Sequence, residues 1–171
     1  KKLYNFFRDM EFNRLLSRAI SFYGETNEIS EDLGLEKKNF SKINLKKYIS
    51  ITDEKTLDNW INILNQQALI AVDTETSSLD PKEAELIGIS FCYGLNKACY
   101  IPLGHKNFKC LKKNDVLKKV KPILEDPSIK KIGQNIKFDY IVFQKNGIKV
   151  DPIEDTMLIS YSLDAGTNRH N

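Results

Sequence analysis

Five apolar residues, Ala68-Leu69-Ile70-Ala71-Val72, run directly into Asp73-Thr74-Glu75-Thr76, and no other stretch constrains the fold of this chain as tightly. By length and aliphatic content the run is a buried strand, and it is far too short to cross a bilayer. Strand side chains alternate, so Asp73 and Glu75 are expected on one side and Thr74 on the other. Two carboxylates held side by side repel unless a divalent cation sits between them. Oxygen ligands without His or Cys favour Mg²⁺ or Mn²⁺ over zinc. Taken alone, an Asp-x-Glu pair is more often a solvated strand end that begins a turn.

Around this strand the pattern predicts an α/β class with a mixed sheet. Tyr48 to Ile51 reads as a short strand, and Asp53 as the cap of a helix carrying Leu57, Trp60, Ile61 and Leu64. Glu85 to Tyr93 and Lys97 to Ile101 read as a hairpin around Gly94-Leu95-Asn96. Asn114 to Leu124 is a predicted helix with Pro122 in its last turn. Lys131-Ile132-Gly133 is a short strand, followed by a helix from near Asn135 to Gly147 and a third, Thr156 to Leu163, capped by Asp155.

The first 23 residues repeat apolar side chains at helical spacing (Leu3, Phe6, Phe7, Met10, then Phe12, Leu15, Leu16, Ala19, Ile20). We expect residues 1–23 to be a helical segment joining to a preceding domain. Residues 24–42 read as a polar linker, and the compact domain is expected over 43–171. No basic stretch leads into an apolar run near the start, so no secretory signal is expected. The chain begins Lys1-Lys2 and stops at His170-Asn171, and is expected to be a piece of something longer.

A formal charge of +3, from 26 basic and 23 acidic residues, allows nucleic acid as a partner without demanding it. The nine lysines between Lys106 and Lys131 read first as a solvated helix face and second as a grip on a DNA backbone. Three cysteines, Cys92, Cys99 and Cys110, without CxxC spacing, fit reduced thiols in a cytoplasm, with no zinc site and no disulfide framework. On the expected hairpin register Cys92 faces Cys99, as two small buried thiols. His105 and His170 read as structural.

A second motif, Gly133-Gln134-Asn135-Ile136-Lys137-Phe138-Asp139, places Asn135 and Asp139 four apart at the start of a helix, hence on one face. Asp139 can thus bring a third carboxylate toward the strand end. The two motifs together resemble those of the DEDD-type 3′→5′ exonucleases, the first spanning Asp73 to Asp80 and the second Gln134 to Asp139. More specifically, residues 43–170 are similar to the proofreading exonuclease domain of bacterial DNA polymerase I. Supporting stretches are Tyr100 to His105 and Asp155 to Tyr161. Met10 to Leu16 resembles the segment joining that polymerase's 5′-nuclease and proofreading parts.

The resemblance implies a ribonuclease H-like mixed β-sheet flanked by helices, and two-metal (Mg²⁺ or Mn²⁺) hydrolysis of the 3′-terminal phosphodiester of DNA. It implies that Asp73 bridges the two ions, that Glu75 binds the nucleophile-side ion, and that Asp139 serves the other. Thr76 and Leu79 match positions touching the terminal nucleotide, and Gln134 and Asn135 match positions near the scissile strand's backbone. The implied partners are the 3′ end of single-stranded DNA and the polymerase and 5′-nuclease domains of a parent chain, in the cytoplasm and with no membrane. Two rivals are a stand-alone ribonuclease D-like exonuclease and a catalytically silent exonuclease-like scaffold. This branch also carries a downstream Tyr-x-x-x-Asp motif. Tyr161-Ser162-Leu163-Asp164 is one residue short of it and lies on a different element, so Asp164 does not take that role. The domain is thus expected to be C-terminally incomplete, exposing apolar surface, and nearly inactive as 171 residues alone.

Overall fold

The computed structural model describes residues 2–24, 44–106 and 108–163. Gly24 apart, the linker expected over 24–42 lies outside them, as do Asp164 and His170. Contacts divide the chain into two units, Lys1–Lys42 and Ile43–Asn171.

In the first unit the single helix expected over residues 1–23 is two, α1 (Lys2–Asp9) and α2 (Asn13–Tyr23). The break runs through Glu11, whose φ is 55°, and helical periodicity continues across it, which is why hydropathy did not reveal it. Tyr4 and Ala19 are buried together, and the Tyr4 hydroxyl donates to the Gly24 carbonyl at 3.0 Å. A contact between residues at opposite ends of the segment thus holds a fold that local pattern reads as one rod.

The second unit is built on one six-stranded sheet. Its elements in chain order are β1 (Ile49–Ser50), α3 (Glu54–Leu64), β2 (Leu69–Thr76), β3 (Leu86–Cys92), β4 (Ala98–Pro102), α4 (Lys113–Glu125), β5 (Lys130–Gly133), α5 (Ile136–Lys145), β6 (Ile153–Asp155) and α6 (Thr156–Leu163). The strand order is β1-β4-β3-β2-β5-β6. The β2–β3 and β3–β4 pairs are antiparallel, and the other three are parallel. The mixed sheet is therefore as expected, with β6 a strand that the sequence pattern did not reveal. Asp53 caps α3 by accepting from the Thr56 amide, and α4 runs on past Pro122 to Glu125.

One face of the sheet carries Ile70, Val72, Ile89, Phe91, Cys99 and Ile101, all buried in a single core with Leu57, Trp60 and Leu64 of α3, Val120 and Leu124 of α4, and Val142 and Phe143 of α5. The strand residues between them (Ala71, Asp73, Glu75, Ser90, Cys92, Tyr100) are half-buried or exposed. Helix α6 buries none of its residues, and its Leu158 and Leu163 are exposed.

The hairpin register corrects the expected cysteine pairing. Cys99 sits opposite Phe91, and Cys92 opposite Ala98. A one-residue offset moves a side chain to the other face of a sheet, so Cys99 is in the core while Cys92 lies on the open face. Burial pushes the Cys99 thiol up to about 12.

The lysine stretch is corrected as well. Lys131 is 0% exposed and can be neither a solvated residue nor a DNA contact. Its ammonium donates to the carbonyls of Asp126, Ile129 and Asp151 at 2.8, 2.6 and 2.6 Å. Lys119 is paired with Asp58 and Lys130 with Glu154 at 2.8 Å.

Candidate active site

Two elements build the site, the end of β2 and the start of α5. Along β2 the side chains alternate as the period-two rule requires: Asp73 and Glu75 are exposed, and Thr74 is 8% exposed on the core side. Partial desolvation of the Asp73 carboxyl, with the charge of Glu75 added, raises it above the usual range.

The approach to α5 depends on close packing and a left-handed residue. At Gly133 a Cβ would stand 3.0 Å from the Val72 carbonyl, so glycine lets β5 close against β2. Asn135 has a φ of 55°, a conformation that asparagine tolerates better than most residues. Its amide donates to Asp155 Oδ1 at 3.1 Å, while its side chain makes no capping bond. Helix α5 then starts at Ile136, so the asparagine expected to open the helix instead precedes it and faces the site. Asp155 also accepts from the Met157 amide at 2.9 Å, capping α6 as expected. Gln134 Oε1 accepts from the Thr156 hydroxyl at 2.6 Å.

Asp139 is 3% exposed. Its Oδ1 accepts from both the amide and the hydroxyl of Thr74, at 2.8 and 2.6 Å. Burial raises its carboxyl to about 6, with the Asp73 charge adding to the rise and the two Thr74 bonds opposing it. Asp139 is therefore fixed from the Thr74 side of the strand, the side opposite Asp73 and Glu75.

The seven residues singled out from the sequence, Asp73, Glu75, Thr76, Leu79, Gln134, Asn135 and Asp139, all line one open cleft of about 510 Å³. Thr74, Ser77, Ser78 and Phe138 complete its lining. Leu79 is 96% exposed. The donors suit a hard divalent cation: they are oxygens only, and Asp73 and Asp139 are carboxyls whose charges are disfavoured where they stand. Among the described residues, no group of three or more His, Cys, Asp or Glu side chains is gathered closely enough to hold a metal ion.

Sequence reasoning missed Thr74 and Thr156. The signal for Thr74 was available: a threonine on the buried face of a strand needs a hydrogen-bond partner. Nothing local marks Thr156 as a partner of Gln134.

Comparison with known proteins gives a consistent outcome. A family model described as 3′-5′ exonuclease matches residues 48–171. A DNA polymerase I of Rhizobium leguminosarum is 41% identical over 143 residues, covering 72% of this chain and 14% of the relative. A DNA polymerase I of Pseudomonas aeruginosa is 33% identical over 170 residues, 96% of this chain and 18% of the relative. The chain thus spans less than a fifth of the length of either polymerase. Among solved structures, Brucella melitensis NrnC with bound Mg²⁺ is similar with a TM-score of 0.54 and 26% identity, over 72% of this chain and 55% of that one.

Proposed function

Since this chain belongs to the 3′-5′ exonuclease family carried by bacterial DNA polymerase I, we propose that its cleft receives the 3′ end of a single DNA strand and cleaves the terminal phosphodiester. The observation that carries this reading is the convergence of both motifs on one cleft. A pair of Mg²⁺ or Mn²⁺ ions held there would supply a water acidified for in-line attack and charge stabilisation for the departing 3′ oxygen. The Mg²⁺ bound by the similar NrnC supports that choice of metal.

In this reading Asp73 and Glu75 would hold the ions, with Asp139 serving the second of them. Thr74 restrains Asp139 so that it faces the cleft without rotating. Leu79 packs on the terminal base, and Thr76 fixes the turn beneath it by donating to the Ser78 carbonyl at 2.9 Å. Gln134 and Asn135, held by Thr156 and Asp155, approach the scissile strand's backbone. The whole protein would work in the cytoplasm, with polymerase and 5′-nuclease domains in the same parent chain. Within the 171 residues the Tyr-x-x-x-Asp pattern does not occur, so we expect weak metal binding and slow cleavage from this chain by itself.

The test is release of nucleotides from 3′-labelled single-stranded DNA in Mn²⁺, beside an Asp73→Ala chain, together with the thermal shift that Mn²⁺ causes in each. Mn²⁺ stabilisation that disappears in Asp73→Ala supports the site, even where turnover is slow. Equal shifts in both chains, with no cleavage by either or by a longer chain carrying the downstream motif, would favour the silent-scaffold reading.

A further inference from the structure

Leu79 is exposed in the loop joining β2 to β3, which is braced by several hydrogen bonds. At its base the Ser77 amide donates to the Glu85 carbonyl at 3.0 Å, and the Glu85 amide to Ser77 Oγ at 2.9 Å. Inside it, Asp80 Oδ1 accepts from the Lys82 amide at 2.9 Å, and the Asp80 carbonyl from the Ala84 amide at 2.8 Å. The returning limb is gripped from outside. The ammonium of Lys145, at the end of α5, donates to the Lys82 carbonyl and to the Ala84 carbonyl at 2.8 Å.

The same helix holds β2 through Asp139, six residues earlier, roughly 9 Å along the axis at 1.5 Å per residue. A single rigid rod is therefore bonded at one end to the strand carrying Asp73 and Glu75, and at the other to the loop carrying Leu79. We propose that Lys145 is a positioning residue for substrate: by clamping the loop 77–85 to α5 it sets where Leu79 meets the 3′-terminal nucleotide relative to the two strand carboxylates. This rests on the DNA reading above and adds to it a residue outside both motifs. An ammonium suits the role because it can donate to two carbonyls at once, whereas a thioether of similar length donates to neither.

The experiment measures equilibrium binding of a five-nucleotide single-stranded DNA, labelled at its 5′ end, in Ca²⁺ buffer. It compares the unaltered chain with Lys145→Met, Lys145→Arg, Leu79→Ala and the Leu79→Ala/Lys145→Met pair. Because contacting groups that act through one another are non-additive, Lys145→Met should weaken binding about three- to tenfold in the unaltered chain and less than twofold once Leu79 is gone. Arginine at 145 should restore most of the loss. Amide exchange of residues 78–84 without DNA should quicken in Lys145→Met while the middle of α5 is unchanged, which separates loop release from unfolding. Equal losses in both backgrounds, or no loss in either, would overturn the role of Lys145. Failure of both this chain and a longer chain carrying the downstream motif to bind the DNA would instead overturn the DNA reading, and the substrate part of this proposal with it.

Discussion

Thr74 and Asp139, 65 residues apart in sequence, are joined by two hydrogen bonds to a single carboxylate oxygen, from the threonine amide at 2.8 Å and its hydroxyl at 2.6 Å. The pair ties the first motif to the second from the buried side of β2, while Asp73 and Glu75 face the opening. A carboxylate placed in this way is oriented by the protein and still carries a charge that its surroundings disfavour.

The first expected outcome concerns pH. The Asp139 carboxyl titrates at about 6 in the folded chain against 3.8 for an ordinary aspartate. The folded state therefore binds this proton more tightly, so its contribution to stability is full below about pH 4 and is lost as pH rises through 6. Asp139→Asn keeps an acceptor for both Thr74 donors and cannot ionise. In chelator, urea unfolding should show it more stable than the unaltered chain by about 2–3 kcal/mol at pH 8 and no more stable near pH 4. A constant difference across that range would mean the carboxyl is not raised.

Thr74→Val removes the hydroxyl bond and leaves the amide bond in place. Loss of a buried hydrogen bond to a charged group should lower stability by about 1.5–3 kcal/mol at pH 8. It should also move the Asp139 transition upward, because the Thr74 bonds favour the ionised form. Carboxyl chemical shifts followed against pH would read both the site and the direction. An unmoved or lowered transition would contradict the bonding described.

Lys131 is buried with three carbonyl partners. Lys131→Met keeps most of the volume but strands those carbonyls, and should cost about 2–4 kcal/mol in unfolding free energy. DNA binding at constant fold should not change, since Lys131 is 0% exposed. A Lys131→Met chain as stable as its parent would show the ammonium to be dispensable.

Tyr100 lies across Gly88 and reaches His105, with its hydroxyl 2.5 Å from His105 Nε2. A Cβ at position 88 would stand 1.9 Å from the tyrosine oxygen, so Gly88→Ala must displace the ring. We expect a loss of about 1–3 kcal/mol, largely absent when Tyr100→Ala is already present. Thermal denaturation of the four chains of that cycle decides it, and additive losses would exclude the contact as the cause.

Much of the site was legible locally. The strand alternation that separates Asp73 and Glu75 from Thr74 follows from the pleat. The caps at Asp53 and Asp155 follow from the need of first-turn amides for acceptors. The motif residues line one cleft because each motif is short and sits where a strand ends or a helix begins, although the three acids are not gathered into one group that could hold a metal ion. The same local reasoning failed at residues 1–23, where the apolar period runs unbroken through a break at Glu11. It failed again at the hairpin, where a register offset by one residue changes which cysteine is inside.

The sequence by itself determined the α/β class and the position of the β2 carboxylates, since these depend on periodicity and capping within a few residues, and its two motifs carried the resemblance to the family. Only the tertiary structure decided that Asp139 is held by Thr74, that Lys131 is buried and that Lys145 grips the loop of Leu79. Two of these are bonds across 65 and 61 residues, and all three rest on polar groups finding partners inside or against a packed core. A lysine reads the same in a sequence whether its ammonium faces water or three carbonyls. The difference is made by what the rest of the chain brings beside it, because a buried charge persists only where the fold supplies its hydrogen bonds.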